Sequence, residues 1–156
     1  MRVQRYLSKL AYSHQVPLET VSRITVLISV LEKSLAARVL PRLRKICLAL
    51  PESHEVEAWG EPTFRVRNKL FAMYAASTNH HGGGRPAVWC KAGPGNQGLM
   101  VHANPDRFFV PPYVGPSGWV GVWLDGAVDW GEVADLLRDS YVLVAPKKLG
   151  ALVSQP

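Results

Sequence analysis

Three cations stand at alternate positions, Arg65, Arg67 and Lys69, around a two-residue break between apolar runs. A two-stranded ribbon with cations at its tip can enter a groove of DNA and meet phosphates or base edges. Arg85 and Lys91, on or beside the neighbouring strand, would widen such a surface, as would Lys147 and Lys148 near a helix end. Charge at turns and strand edges also keeps edges from pairing with other chains, and cations near a helix end favour its dipole. The cations are therefore candidates for phosphate contact rather than proof of it.

Other reactive groups are scattered. Glu52, Glu55, Glu57 and Glu61 fall along a segment that reads as a loop, with Glu132, Asp135 and Asp139 on a later helix. Hard cations need converging oxygens, so this spread reads as a solvated acidic face, with iron binding a minor alternative. His80-His81 beside Gly82-Gly83-Gly84 lacks the Lys-Ser/Thr ending of a phosphate loop and reads as a mobile loop. Cys47 and Cys90 show no metal or redox spacing and behave as small apolar residues of a reducing cytosol. No catalytic set, metal or cofactor is expected, and the protein is read as non-enzymatic and cytoplasmic.

The aromatics offer a rival to nucleic-acid binding. Residues 108–119 are rich in Pro, Gly and aromatic side chains and could form a cleft for a peptide or a small apolar ligand. Trp59, Phe64, Phe71, Phe108, Phe109, Tyr113, Trp119 and Trp130 alternate with polar residues in a way that fits core packing better than base stacking. Trp123 is expected on the face of Val120 and Val122 and is the candidate for an exposed ring.

These residues sit in a 156-residue chain of net charge +6, with 47 % hydrophobic and 19 % charged residues, a globular composition for one domain with some excess. Residues 1–50 carry nine cations against two acids (+7); residues 51–156 carry nine against ten (−1). The basic excess therefore belongs to the N-terminal third, which weakens a nucleic-acid reading drawn from whole-chain charge. No apolar run approaches the ~20 residues of a membrane span, and no secretory signal is evident.

The positioning elements follow from period and punctuation. Residues 1–17 are basic, lack acids and end at Pro17, and are expected to form a poorly ordered arm or a short helix. Residues 18–40 have helical spacing at Val21, Ile24, Leu27 or Ile28, Leu31 and Leu35, an apolar face that needs the domain or a second chain, making the protein a monomer or a homodimer through 18–40. Pro41 breaks that helix and opens the next, which Pro51 stops. The period then changes to two: Thr63–Val66 and Leu70–Ala75 flank Arg67-Asn68, where Asn tolerates the positive φ of a tight turn. Residues 86–91 and 119–124 are further strands, and Leu99-Met100-Val101 is strand or helix. Asp129 with Glu132 caps a helix running to about Ser140, with Trp130, Val133, Leu136 and Leu137 inward. The order implies an α+β two-layer sandwich, an antiparallel sheet with N- and C-terminal helices on one face.

The ordered set Ala49-Leu50-Pro51, Trp59-Gly60-x-Pro62-x-Phe64, Lys69-x-Phe71-Ala72, Pro112-Tyr113, Gly118-Trp119-Val120, Asp129-Trp130, Ser140-Tyr141 and Ala145-Pro146-Lys147-Lys148 resembles the MmcQ/YjbR family of small bacterial proteins. The likeness covers roughly residues 42–150, giving a division into a basic, partly helical extension (1–40) and a family-like domain (41–153). It implies a CyaY-like (frataxin-like) fold and carries a DNA-binding label without an established reaction. Two departures stand out: the family's hairpin tip is usually Gly-Gly, where this chain has Arg67-Asn68, and the loop at 79–84 is longer. Residues 1–40 have no counterpart and read as a lineage-specific arm or an upstream start. The expected function is weak, salt-dependent DNA binding of low sequence specificity, with a protein- or ligand-binding module built on 108–119 as the alternative.

Overall fold

The structure, a computed structural model, describes residues 17–77 and 84–154. The basic arm of residues 1–16 and the His80-His81 loop lie outside the described residues. The chain divides into two compact units at Val39/Leu40. Helix α1, Leu18–Cys47, contributes to both. In the first unit Leu18, Val26, Leu27, Val30 and Leu31 are exposed. No described helix is long and apolar enough to cross a membrane.

The expected break at Pro41 is absent, because the helix runs through it. Proline removes one ladder hydrogen bond and crowds the preceding turn, at about 3 kcal/mol. Burial of Leu43 and Cys47, both fully enclosed two and six residues later, offsets that cost.

The second unit is the expected α+β sandwich. Six strands, β1 Ser53–Ala58, β2 Glu61–Val66, β3 Lys69–Ala75, β4 Ala87–Lys91, β5 Phe108–Phe109 and β6 Trp119–Trp123, pair antiparallel in the order β1-β2-β3-β4-β6-β5. Strand β1 corrects the loop reading of residues 52–61. Its alternation of Ser53, Glu55 and Glu57 with His54, Val56 and Ala58 is the two-residue period of an edge strand, disguised by its polarity. Three helices follow: α2 Asn96–Ala103, which settles the ambiguous Leu99–Val101 run, α3 Trp130–Val144 and α4 Lys147–Val153. Asp129 caps α3 as expected, accepting from the Gly131 and Glu132 amides. The helix extends four residues past Ser140 because Tyr141 is fully buried on its inner face.

Ladder register assigns the two faces of the sheet. Ala72, Cys90 and Val120 form one row on the helix side; Tyr74, Val88, Val122 and Phe108 form the next. Helix α3 packs there, with Tyr141 edge-on to Phe71 at 5.4 Å and its hydroxyl donating to the Pro51 carbonyl. The other face carries Met73, Ala75, Ala87, Trp89 and Trp119.

A bulge makes this partition possible. Phe64 pairs with Ala72 but Arg65 pairs with Leu70, leaving Phe71 as an extra residue. Leu70 and Met73, three apart, therefore share the outer face, while Phe71 turns to the helices. The buried Ser140 hydroxyl bridges the break: it donates to the Phe71 carbonyl (2.6 Å) and accepts from the Lys91 amide (2.8 Å).

The hairpin tip holds Arg67, not Asn68, in the left-handed region (φ 51°). Asn68 was the residue expected there. The first turn position is the strained one, a place glycine would fill without cost.

Two outcomes follow for stability. Ser140→Ala strands the Phe71 carbonyl and the Lys91 amide in the interior and is expected to cost about 1–3 kcal/mol by urea denaturation, against less than about 0.5 for the exposed Ser117→Ala. The buried thiols set an alkaline limit. Burial raises Cys47 well above its ordinary range, with Cys90 and Glu55 adding to the effect, and pushes Cys90 up to about 12, with Asp139 adding. The unfolded thiols lose protons from about pH 8.5, while the folded ones keep theirs. Stability present below that pH is therefore lost as pH rises from about 8.5 toward 12, approaching about 1.4 kcal/mol per pH unit for each thiol. Melting temperatures across pH 8–10.5 should fall more steeply for the native chain than for the Cys47→Ala/Cys90→Ala variant.

Candidate aromatic ligand pocket

Within the second unit, the helix packed on β3 and β4, α3, lies on the side of Phe71 and Tyr141, and the outer face is the opposite one. Its register places Thr63, Met73, Trp89 and Gly121 side by side across four strands, with Leu70 and Trp119 toward the hairpin end. Gly121 leaves room for Phe109: a Cβ at that position would sit 2.2 Å from the ring's Cζ. Phe109 in turn stacks on Trp123, centroids 3.9 Å apart. These rings fill one side of the face. The other side stays open as a cavity of about 320 Å³ lined by Trp59, Leu70, Met73, Trp89, Tyr113, Val114 and Trp119. The Trp89 indole N–H is buried with no acceptor among the described residues.

Leu70, Met73, Trp89 and Trp119 are held by the ladder and form a rigid floor. The jaws come from loops. Trp59-Gly60 is the two-residue β1–β2 turn, and both residues have positive φ, 57° and 77°. That is the requirement of a tight hairpin turn of type I′, which favours Asn-Gly. Tyr113 sits at φ 65°, and the Val114 amide donates to the Pro112 carbonyl at 2.7 Å, a γ-turn of the rarer, positive-φ kind. Gln97 of α2 anchors the loop behind it, donating to the carbonyls of Gly115 (2.7 Å) and Trp119 (2.5 Å).

Both jaw rings stay largely in solvent, Trp59 at 65 % and Tyr113 at 77 % exposure. A bulky residue in left-handed backbone costs on the order of 1–3 kcal/mol, and such strain clusters at ligand clamps. Two strained, exposed aromatics on opposite loops of one apolar cavity form such a clamp in outline.

The charged candidates do not converge on one patch. Arg65 faces outward beside Leu70, partly buried, its Nε donating to Thr63 Oγ1 at 3.3 Å. Lys91 lies on the same face opposite Trp119. Arg67 is paired with Glu52 at 3.2 Å at the tip, where Lys69 is exposed. Arg85 precedes β4, at the far end from Lys91, in a two-pronged pair with Asp125 (2.6 and 2.7 Å) over the Trp123 ring at 4.4 Å. Lys147 and Lys148 open α4, separated from the C-terminal end of α3 by Ala145-Pro146.

Five of the acidic candidates, Glu52, Glu55, Glu61, Glu132 and Asp135, are engaged by other groups of the chain, and no three His, Cys, Asp or Glu among the described residues converge to hold a metal ion. Hydrogen bonds from Arg44 at 2.7 and 2.8 Å hold the Glu55 carboxyl below the usual range. Glu61 is buried and accepts from the Ala76 amide.

Of the family-motif residues, Trp59, Tyr113 and Trp119 meet at the pocket and Gly60 completes its turn. Pro62 pairs opposite Glu57, Phe64 is buried on the helix side, and Trp130 lies under Arg42 at 5.2 Å. Trp123 corrects an expectation. A two-residue period puts it with Trp119 and Gly121, not with Val120 and Val122, and its ring is partly buried between Phe109 and Arg85. Leu70, Met73, Trp89 and Val114 were not singled out by sequence. The only signal for them was the run 108–119, which supplies one wall.

A model of the YjbR family matches residues 48–143. Among solved structures the chain is similar to the crystal structure of Deinococcus radiodurans protein DR2400, family-model domain DUF419, with 24 % identity and a TM-score of 0.58, covering 73 % of this chain and 86 % of that one. At this identity the likeness speaks to fold alone. No curated protein matches.

The strained jaws make a testable trade. Trp59→Asn and Tyr113→Gly each relieve left-handed strain and are expected to raise the melting temperature by a few degrees, about 1 kcal/mol each. An unchanged or lowered value in both would show that the rings serve packing rather than a clamp.

Proposed function

The chain belongs to the YjbR family, and from that footing we propose that it is a cytoplasmic, non-catalytic binding protein whose site is the aromatic pocket on the outer face of the sheet. The carrying observation is the pairing of Trp59 and Tyr113, exposed and backbone-strained, over a floor of Leu70, Met73, Trp89 and Trp119. Single exposed rings are ordinary, but exposed aromatics that rim one contiguous apolar cavity mark a ligand-binding groove. The lining is apolar and aromatic with few polar groups, the composition of a recognition site for a small apolar body, and its volume lies at the small end of known ligand pockets.

A second reading is weak, salt-dependent DNA binding through the hairpin. It draws support from Arg65 and Lys69, cations near the tip that have no carboxylate partner among the described residues, with Lys91, Lys147 and Lys148 as further contacts. Arg67 and Arg85 are already engaged by Glu52 and Asp125, which lowers the charge this surface offers.

Carbon-13 labelling of methionine methyls separates the two. Met73 lines the floor, whereas Met100 lies on α2 outside the cavity. A neutral probe, 4-phenylbutanamide, is expected to shift the Met73 methyl in a saturable way in the native chain and not in Trp59→Asn. A shift absent up to millimolar probe, together with salt-sensitive binding of a fluorescent DNA duplex that Arg65→Ala/Lys69→Ala abolishes, would replace the pocket by the hairpin.

A further inference from the structure

The cations beside the pocket specify its ligand further, on the reading that the pocket is a binding site. Directly opposed residues in an antiparallel ladder share a face, with Cβ atoms about 4.5–5.5 Å apart. Arg65 is opposite Leu70 and Lys91 is opposite Trp119, and both partners line the cavity. Two apolar lining residues on the outer face therefore each have a cation directly opposite, Leu70 on the β2 side and Trp119 on the β4 side. Neither cation has a carboxylate partner among the described residues, a state they share with Arg42, Lys45, Lys69, Lys147 and Lys148 but not with Arg44, Arg67, Arg85, Arg107 and Arg138; what sets them apart is their place beside the cavity lining. The Arg65 side chain bends along β2, its Nε donating to Thr63 Oγ1, and its Cα partner Leu70 is the lining residue beside it.

We propose that the pocket takes a small amphipathic anion: an aromatic or branched hydrocarbon body clamped by Trp59 and Tyr113 over Met73 and Trp89, with a carboxylate at the rim held by Arg65 and Lys91. The apolar lining favours a hydrocarbon body over a nucleobase, whose polar edges would lose water without gaining partners. The two cations supply the complementary charge, and a guanidinium gives a carboxylate two parallel hydrogen bonds. A free acid is the source the site fits. A cavity of about 320 Å³ has room for one small body, and the two cations stand beside its lining residues Leu70 and Trp119.

The test is a series of ω-phenylalkanoates, from phenylacetate to 5-phenylvalerate, each titrated against its neutral amide with the Met73 methyl resonance as readout. The expected result is that the best acid binds at least about tenfold tighter than its amide and that the advantage shrinks with salt. Arg65→Gln/Lys91→Gln should erase the advantage while leaving amide affinity and melting temperature unchanged. Arg65→Lys/Lys91→Arg, which keeps both charges, should retain most of it. Equal affinity of acid and amide in the native chain would overturn the anion assignment and leave the pocket standing. An acid preference that survives the glutamine variant would overturn the roles of Arg65 and Lys91. Silence of the Met73 methyl toward acids and amides alike would remove the pocket itself.

Discussion

One buried hydroxyl holds the two faces of this domain apart. At Phe71 the β2–β3 register slips by a residue, and the gap that opens toward β4 must be filled by something with both a donor and an acceptor. Ser140 supplies both, linking the Lys91 amide to the Phe71 carbonyl from the inner face of α3. Without that bridge two backbone groups would lie unpaired in the interior, a cost that native structures rarely carry. With it, Phe71 turns inward onto Tyr141 while Leu70 turns outward beside Met73. The pocket floor and the helix-side core are thus consequences of the same irregularity.

The outer face shows how a sheet side can be partly filled and partly left open. The absence of a Cβ at Gly121 admits the Phe109 ring, which stacks on Trp123, itself covered by Arg85. This closes one end with aromatic contacts worth about 0.5–1.5 kcal/mol per pair beyond their burial. At the other end Leu70 and Met73 line the cavity, and two loops bring Trp59 and Tyr113 to it. Both rings are carried on positive-φ backbone, so their placement works against local preference and depends on the ladder and the Gln97 anchor behind it.

Charge follows the same division. Four arginines of the second unit away from the pocket are matched by acids, Arg44 with Glu55, Arg67 with Glu52, Arg85 with Asp125 and Arg107 with Glu132, whereas Arg42 lies on the Trp130 ring instead. The cations beside the pocket, Arg65 and Lys91, are not matched by described carboxylates. Exposed pairs contribute little to stability, so the pattern matters less for folding than for which surface retains an unbalanced positive potential. The whole-chain charge gives no hint of this, because it is dominated by the N-terminal third.

Much of the architecture was legible in the sequence because it depends on local rules. Apolar period, the Asp129 cap, the hairpin around Arg67-Asn68 and the ordered motif set lead to an α+β sandwich, and the aromatic segment 108–119 marks one wall of the pocket. Other features depend on non-local causes. The helix passes through Pro41 because burial outweighs a missing hydrogen bond, and the polar strand β1 is held by pairing rather than by its own pattern. Leu70 shares a face with Met73 only because a residue is bulged out between them, which alternation read along the chain cannot reveal. The sequence by itself determined which residue types were available, several tryptophans, a tyrosine and two outward cations among them. The tertiary structure alone decided that Trp59, Met73, Trp89, Tyr113 and Trp119 meet in one cavity beside Arg65 and Lys91, because strand order and register, not spacing along the chain, set which side chains become neighbours.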